Sequence, residues 1–350
     1  VGQPNLVRLD AITGAVDPTF LNGLAGPNGE VRALLVESGG GIVIVGDFTA
    51  VNGTPANRVA RLTSTGAVDP AFSVGPGLGA NALVRTVVAE GAGGYVLGGD
   101  FTTFNGQAAS RLAKVSGAGG LDLTFNQNVG TGPNGSVTTL ARLTNTTFNV
   151  TSGYLVGGSF SGPGFGATVS QRTRNNLTGT ATLTTARAHG LAVGDVVVVS
   201  GVGSTPADGV SYDGTYTVTA VGASPATFSY QNAGAQDNGT VVSAGSATRG
   251  NGVHNRIAQL DALGVVALSP GFGAGFDGAV NSLALQPVGG VNYYVVGGSF
   301  TGYAGQTGPG SDHLVRLAAG TAAPDRTFNQ GGGADGPVLA VAFNAAGQLV

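Results

Sequence analysis

The feature that most restricts the fold of this chain is an internal repeat of about 53 residues. Residues 13–20 read Thr-Gly-Ala-Val-Asp-Pro-Thr-Phe, and residues 65–72 repeat them as Thr-Gly-Ala-Val-Asp-Pro-Ala-Phe. The phenylalanine that ends this motif recurs, with looser copies of the motif, at Phe20, Phe72, Phe125, Phe272 and Phe328. A period of this length predicts a repeat protein, in which each unit buries its apolar surface against its neighbours.

Three further patterns keep the same phase. An apolar segment that ends in Gly, then Asp or Ser, then Phe occupies residues 42–48, 95–101, 154–160 and 294–300. An alternating segment occupies 58–62, 111–115, 256–260 and 314–317, with a further copy at 6–10. Short strands are also predicted at 31–34, 84–87, 137–140, 280–283 and 338–341. Each repeat thus has three or four short strands and no helical period, which is typical of a β-propeller blade. The Gly-Gly pair before Asp or Ser predicts a close approach of neighbouring backbones.

The composition supports an all-β chain and excludes several classes of protein. Glycine contributes 64 of the 350 residues, and it costs about 1 kcal/mol relative to alanine at each helical position. Cysteine is absent, which rules out a disulfide framework, a thiolate nucleophile and a cysteine-ligated metal. The net charge is -3 and Lys114 is the one lysine, so we expect no nucleic-acid binding. Apolar runs fall well short of the ~20 residues that a membrane-spanning helix needs.

These patterns resemble the delta-sixty repeat family, a β-propeller repeat of bacterial secreted and surface proteins. The matching residues are Gly-Gly-Asp-Phe-Thr-Thr-Phe-Asn-Gly at 98–106, Arg-Leu-Ala-Lys at 111–114 and Asp-Leu-Thr-Phe at 122–125. The resemblance covers nearly all of the chain outside one insertion. It implies an exported protein of bacterial cell envelopes, often very long and often tied to adhesion, and it implies no catalytic residues.

An insertion is indicated by the spacing from Phe125 to Phe272, which is 147 residues. Strands are predicted inside it at 180–187, 195–202, 214–221, 227–231 and 239–244, separated by Asp-Gly and Asn-Gly turns. Five such strands can close a small barrel or sandwich, and residues 188–195 with 213–218 look like a small β-module of phage tail and bacterial surface proteins. We therefore predict propeller repeats at 1–168, an inserted β-domain at 169–250 and further repeats at 251–350. The repeat frame is incomplete at both ends, so either the two ends meet to complete one blade or more blades lie outside this chain. We favour the second interpretation, a segment of a longer protein.

The aspartates that recur in the repeats are interpreted as structural. An aspartate before a turn bonds its own backbone two residues on. This favours a scaffold role over a ring of calcium ligands for Asp17, Asp69, Asp122 and Asp325. A second recurring position changes from aspartate to serine along the chain, which argues against a shared carboxylate role at Asp47, Asp100, Ser159 and Ser299.

Few other residues are candidates for chemistry. The three histidines are too far apart for a local zinc motif, so loop or core positions are expected for His189, His254 and His313. A glycoside hydrolase needs two facing carboxylates, for which the candidates are acids outside the repeated motifs such as Glu30, Glu37 and Glu90. We predict no catalytic residue, no cofactor and no metal ligand.

The function predicted from the sequence is a non-enzymatic extracellular or cell-surface scaffold or adhesion segment. Two alternatives remain open: a carbohydrate-active propeller enzyme that uses carboxylates of the blade loops, and a phage-like receptor-binding fibre component. The expected partners are surface glycans, other envelope or fibre proteins, and further repeats of the same polypeptide, without nucleic acid or membrane insertion of this segment. The expected location is secreted, at the cell surface.

Overall fold

A computed structural model of the chain describes residues 5–72, 79–91, 93–130, 132–145, 150–161, 166–186, 189, 191, 193–222, 227–249, 255–266, 272–288, 291–307, 311–329, 334–344 and 346–350. His254 and the degenerate repeat motif at 268–271 lie outside the described residues. Nearly all of the described secondary structure is β-strand. Within the described part of the chain, no helix has the length and apolar character that crossing a bilayer requires.

The described strands are short and are joined mostly by tight turns. In the first repeats they are β1 (Val31–Val36), β2 (Ile42–Gly46), β3 (Ala50–Val51), β4 (Thr54–Pro55), β5 (Val59–Leu62), β6 (Val84–Ala89), β7 (Tyr95–Gly99), β8 (Thr103–Phe104), β9 (Gln107–Ala108) and β10 (Leu112–Val115). After helix α1 (Leu123–Val129) come β11 (Val137–Asn145), β12 (Val150–Gly158), β13 (Ala167–Asn175), β14 (Thr180–Thr185), β15 (Val196–Ser200), β16 (Gly214–Val221), β17 (Thr227–Gln231) and β18 (Asp237–Arg249). The last elements are β19 (Ile257–Asp261), β20 (Val280–Val288), β21 (Val291–Gly298), β22 (Gly302–Tyr303), β23 (Gln306–Thr307) and β24 (Leu314–Ala318).

The chain divides into two compact units. Unit 1 comprises Val1–Leu123 and Gly135–Ser152, and unit 2 comprises Thr124–Asn134 and Gly153–Val350. Unit 1 contains two three-stranded antiparallel sheets, in the orders β1-β2-β5 and β6-β7-β10. One apolar core joins the two sheets through Val43, Val45, Val59, Val84, Leu97 and Phe101. Adjacent repeats in this unit therefore stack sheet on sheet, as propeller blades do.

The Gly-Gly pair that ends β7 is required by close approach to two different segments. A Cβ at Gly99 would lie 2.2 Å from the backbone oxygen of Leu83, beside an irregularity in the pairing of β6 with β7. A Cβ at Gly98 would lie 2.5 Å from Cγ1 of Val137, in the first strand of the following repeat. The first glycine thus allows packing between repeats, and the second allows pairing within one sheet.

Unit 1 also contains β11, and unit 2 contains the repeat strands from residue 153 onward. β12 pairs antiparallel with β19, and another three-stranded antiparallel sheet has the order β20-β21-β24. A two-stranded hairpin follows the middle strand of the sheet in three repeats, as β3-β4 and β8-β9 in unit 1 and β22-β23 in unit 2.

Unit 2 also contains a closed barrel of six antiparallel strands in the order β13-β14-β17-β16-β15-β18. Its core includes Val169, Leu183, Val197, Phe228 and Tyr230. The predicted fold class, an all-β propeller chain with an inserted small β-module, is confirmed. The module has six strands rather than the expected five, because β13 lies ahead of the predicted segments. The domain boundaries at 169 and 250 stay a prediction.

Helix α1 differs from the prediction of a chain without helical period. Asp122 stands directly before it, and aspartate is a preferred N-cap residue. Phe125 and Val129 are four residues apart and both buried, so the helix buries one face. The helical spacing of apolar residues here extends over a single helical turn. A sequence pattern this short cannot be distinguished from the loop between two strands of a β repeat.

Candidate functional site

Each repeat carries a set of polar side chains near one end of its sheet, here called the polar cluster. Its first position lies at the end of the first strand of the repeat. It is Glu37 directly after β1, Glu90 directly after β6, or Gln286 near the end of β20. Its second position is the residue before the last leucine or valine of the alternating segment, which is Arg8, Arg61, Lys114, Gln259 or Arg316. Its third position is the recurring aspartate before the turn, which is Asp17, Asp69, Asp122 or Asp325.

The backbone brings the second and third positions of the polar cluster together. The amide N of Asp69 donates to the backbone oxygen of Arg61 at 2.8 Å. The corresponding bond from Asp122 to Lys114 measures 2.7 Å, and that from Asp325 to Arg316 measures 2.8 Å. The repeat therefore holds a cation and a carboxylate side by side through its main chain.

In the repeat that contains β1, hydrogen bonds close the polar cluster. Arg61 Nε donates to Glu37 Oε2 at 2.8 Å, and Arg61 Nη1 lies 3.4 Å from Asp69 Oδ2. Tyr95 of the next repeat donates its hydroxyl to Glu37 Oε1 at 2.5 Å. Burial and the neighbouring carboxylate raise the pKa of Tyr95 to about 12. Both oxygens of Glu37 are engaged, so this acid has a structural role.

In the repeat that contains β24, arginine also closes the polar cluster. Arg316 Nε and Nη2 donate to Asp325 Oδ2 at 2.9 and 2.6 Å, and Nη1 donates to Gln286 Oε1 at 3.1 Å. The guanidinium carbon lies 4.7 Å from the ring centroid of Tyr293. Hydrogen bonds from Thr327 and Arg316 outweigh burial and lower the pKa of Asp325 to about 2.

The polar cluster in the repeat that contains β6 is different, because lysine replaces arginine. Lys114 Nζ lies 3.7 Å from Glu90 Oε2, and the side chain of Glu90 is only 11% exposed. Among the described residues, none donates a hydrogen bond to that oxygen. A buried polar atom without a hydrogen bond costs about 1–3 kcal/mol. Glu90 Oε2 is therefore held by its ion pair with Lys114 and not by a hydrogen bond.

A groove of about 510 Å³ opens beside Glu90 and Lys114. It lies between two turns, closed by the backbone hydrogen bonds from Glu90 to Gly94 and from Ser116 to Gly120. Its lining is Glu90, Gly94, Lys114, Val115, Ser116, Gly117, Gly120, Leu121 and Asp122. A Cβ at Gly94 would lie 2.4 Å from the backbone oxygen of Val115, so the floor of the groove tolerates only glycine there.

Three of the recurring aspartates bond their own turns. Each accepts a hydrogen bond at Oδ1 from the backbone N two residues on, as the turn interpretation predicts; the pairs are Asp17 with Thr19, Asp69 with Ala71, and Asp325 with Thr327. Asp122 lines the groove. The sequence prediction of a structural role thus agrees with the hydrogen bonds of the first three.

The other candidate acids of unit 1 form ion pairs on their own repeats. The nitrogen–oxygen distances are 2.9 Å for Glu30 with Arg32, 3.3 Å for Asp47 with Arg58 and 2.7 Å for Asp100 with Arg85. The Glu30 pair is well exposed, with side chains about half accessible. Such exposed pairs contribute little to stability, about 0–1 kcal/mol each.

The two described histidines occupy structural positions. His189 lies edge-on to Phe228, with ring centroids 5.2 Å apart, and its Nδ1 accepts a hydrogen bond from the backbone N of Leu191. Burial lowers the pKa of His189. The Nδ1 of His313 lies 2.7 Å from Asp312 Oδ1. Within the described residues, no three His, Asp or Glu side chains are grouped as metal ligands would be.

The barrel interior contains two buried arginines on β13. Arg172 Nε donates to Asp237 Oδ2 at 3.1 Å, and the hydroxyl of Tyr212 donates to the same oxygen at 3.1 Å. Arg174 is fully buried, with its guanidinium carbon 4.1 Å from the ring centroid of Tyr212 and Nη1 donating to Thr205 Oγ1 at 2.9 Å. These bonds fasten the segment between β15 and β16 to the barrel, which is a structural role.

The outer face of the barrel carries a second groove, of about 470 Å³. Hydroxyl and amide side chains make up most of its lining, which includes Thr173, Asn175, Thr178, Thr180, Thr182, Gln236 and Asn238. Neighbouring hydroxyls on this face already bond each other or the backbone, as Thr173 Oγ1 does to the oxygen of Thr182 at 3.3 Å.

A β-propeller family model matches part of one repeat. The family is described as a domain of unknown function (DUF5122) beta-propeller, and the match covers residues 40–72. The chain contains β-propeller repeats. No curated protein matches the chain.

Among solved structures, a phage phi92 endosialidase is similar to 72% of this chain, at 13% sequence identity and a TM-score of 0.19. This chain spans 39% of the length of that one. A TM-score this low does not establish a common fold.

Sequence reasoning missed the groove beside Glu90 and the buried arginines of the barrel. The sequence offers Glu90 only as a candidate carboxylate outside the repeated motifs, and Lys114 only as the single lysine of the chain. The signal that points to the groove is the replacement of arginine by lysine at a position where three other repeats have arginine. No comparable signal marks Arg172 and Arg174, because the barrel is not repeated.

Proposed function

We propose that this chain is part of a non-enzymatic, extracellular or cell-surface scaffold of a bacterial envelope, built from delta-sixty-type propeller repeats that carry an inserted β-barrel. The proposal is supported by the contacts that acids of the polar clusters make with other side chains of the repeats. Glu37, Asp69 and Asp325 are held by arginines or tyrosine of the fold. Groups engaged in this way support the stacking of repeats rather than chemistry on a substrate.

Surface labelling of the source organism tests the location directly. An antibody raised against the purified chain is applied to intact cells and to permeabilised cells, with a cytosolic enzyme as the internal marker. The proposal expects labelling of intact cells that lack signal for the marker. Labelling confined to permeabilised cells would contradict it.

A carbohydrate-active enzyme is the second candidate function, because two carboxylates, Glu90 and Asp122, line one groove. Glycoside hydrolysis requires such a pair, one residue acting as the acid and the other as nucleophile or base. The test is release of reducing ends from a panel of bacterial polysaccharides by the intact chain and by Glu90→Gln and Asp122→Asn. The scaffold proposal expects no release above the buffer rate. Release that both substitutions abolish would establish the enzyme instead.

A further inference from the structure

The groove on the outer face of the barrel presents neutral polar side chains to solvent. Its volume of about 470 Å³ falls within the usual range of small-molecule sites, about 300–1,000 Å³. Its strands contribute the hydroxyls of Thr173, Thr180 and Thr182. Arg174 and Asp237 also belong to the lining, but their side chains are only 0% and 5% exposed. The part of the lining that a ligand can reach therefore carries hydroxyls and amides without a charge.

Two exposed asparagines of the lining are fixed by the fold and keep their N–H donors for a ligand. Asn175 Oδ1 accepts hydrogen bonds from the backbone N of Leu177 at 2.9 Å and of Thr178 at 3.2 Å. Asn238 Oδ1 accepts a hydrogen bond from Gln236 Nε2 at 2.9 Å. Among the described residues, none accepts a hydrogen bond from the Nδ2 group of either asparagine. The lining thus holds donors in place before a ligand arrives, which lowers the entropy cost of binding.

The turn between β13 and β14 is tied to the segment before β18, so both sides of the groove keep their positions. Gln236 Oε1 accepts a hydrogen bond from the backbone N of Asn176 at 3.1 Å. Leu177 lies in the same turn and is 91% exposed. The turn therefore places an apolar side chain next to Asn175 and Thr178 of the lining.

The chemistry of the lining selects the class of ligand. Without an exposed charge, it attracts neither an anion nor a cation. Hydroxyl and amide groups both donate and accept hydrogen bonds, so the matching ligand also does both, as a sugar hydroxyl can. A peptide suits the groove less well, because β13 is already paired with β14 on one side and with β18 on the other. A closed barrel offers no free edge to which a peptide strand could be added.

We propose that the outer groove of the barrel binds a neutral saccharide chain. Asn175 and Asn238 donate to its hydroxyls through Nδ2, and the hydroxyl of Thr178 bonds it as donor or acceptor. Leu177 contacts the C–H groups of a sugar ring. The inference rests on the surface role proposed above, because it assigns the glycan-binding part of that role to the barrel.

The test is an NMR titration of the isotope-labelled full chain with neutral oligosaccharides of glucose, galactose and mannose, four to six sugars long. At least one is expected to shift the backbone amide signals of residues 173–182 and 236–240. Asn238→Ala and Thr178→Ala each remove one contact, so each is expected to weaken that binding by about fivefold or more. Both side chains are exposed, so the melting temperature should stay unchanged.

The matched control is Thr217→Ala, since Thr217 is an exposed threonine of β16 outside the groove, on a strand that does not pair with β13, β14 or β18. It is expected to leave the saccharide affinity within about twofold. The proposal would be overturned if no neutral oligosaccharide shifted these signals, or if Asn238→Ala and Thr178→Ala both left the affinity unchanged. Binding of acidic oligosaccharides or peptides alone would also overturn it. Failure of surface labelling with saccharide binding intact would overturn only the proposed function.

Discussion

Single side chains in the polar clusters differ in how many hydrogen bonds they donate. Arg61 reaches two carboxylates and leaves Glu37 with one oxygen for Tyr95. Lys114, at the equivalent position, makes a longer contact with Glu90. At this position a single ammonium thus replaces the planar donor fork of arginine.

Replacing Tyr95 with phenylalanine is expected to lower the free energy of opening of β7 by about 1–2 kcal/mol, because a hydrogen bond to a charged acceptor is lost. Hydrogen exchange of the β7 amides measures the change. Tyr154→Phe is the matched control. Tyr154 begins the equivalent apolar run, is fully buried, and its hydroxyl has no hydrogen-bond partner among the described residues. Its loss should leave local stability equal or higher. Equal losses at both positions would contradict the assigned role of the hydrogen bond.

Three tyrosines connect stability to alkaline pH. Burial raises the pKa of Tyr95, Tyr212 and Tyr294 to about 12 each. Because the fold keeps the hydroxyls neutral, their contribution is complete below pH 10, where unfolded tyrosine begins to ionise, and is lost as pH rises toward 12. Urea unfolding should therefore become easier between pH 10 and 12, while tyrosinate absorbance of the folded chain rises late. Ionisation of all eight tyrosines near pH 10 in the folded chain would contradict this prediction.

Strands and turns differ in how far the sequence reveals them. The middle strands of the repeats are predictable because each is a continuous apolar run buried on both faces, as β2 and β7 are. β13 is not predictable in this way, because two of its inward positions are Arg172 and Arg174. These are tolerated by partners distant in sequence, such as Asp237, which lies 65 residues from Arg172. The alternation of apolar residues in a sequence indicates which face of a strand is buried. It does not indicate polar pairs that form across a barrel.

The glycine at the end of β7 carries a prediction at the level of the strand pair. Gly99→Ala places a Cβ 2.2 Å from a backbone oxygen, which cannot rotate away. The free energy of unfolding of this region should fall by about 1–3 kcal/mol. Gly39→Ala is the control, because nothing lies within 4 Å of its Cβ position, and stability there should stay the same or rise by up to about 1 kcal/mol. Denaturant unfolding of both variants measures the two free energies of unfolding. Equal values for the two variants would contradict the close approach at Gly99.

At the scale of the whole molecule, the sequence repeat predicts the strands and turns of the propeller repeats, but it does not predict the groove beside Glu90. The recurrence of Asp17, Asp69 and Asp325 correctly indicated turns, since the same residue at the same phase serves the repeat itself. The groove depends on two turns, at 90–94 and 116–120, that come together only in the folded sheet. A sequence pattern shows that Lys114 departs from the repeat, but only the fold shows that space opens beside it.

The barrel is joined to the repeats by chain ends that lie next to each other. Ala167 at the start of β13 pairs with Ala247 near the end of β18, and Thr168 pairs with Ser246. The barrel also has its own apolar core. A segment with adjacent ends and a separate core can be removed without separating the strands that precede and follow it.

The central claim, that propeller repeats form a scaffold that carries a separately folded barrel, is tested most directly by deleting residues 170–250 and joining the ends with a short Gly-Ser linker. Circular dichroism and thermal melting of this variant are compared with those of the full chain. The account predicts a β-type spectrum and a cooperative melt for the shortened chain. Global unfolding of the shortened chain would contradict the account.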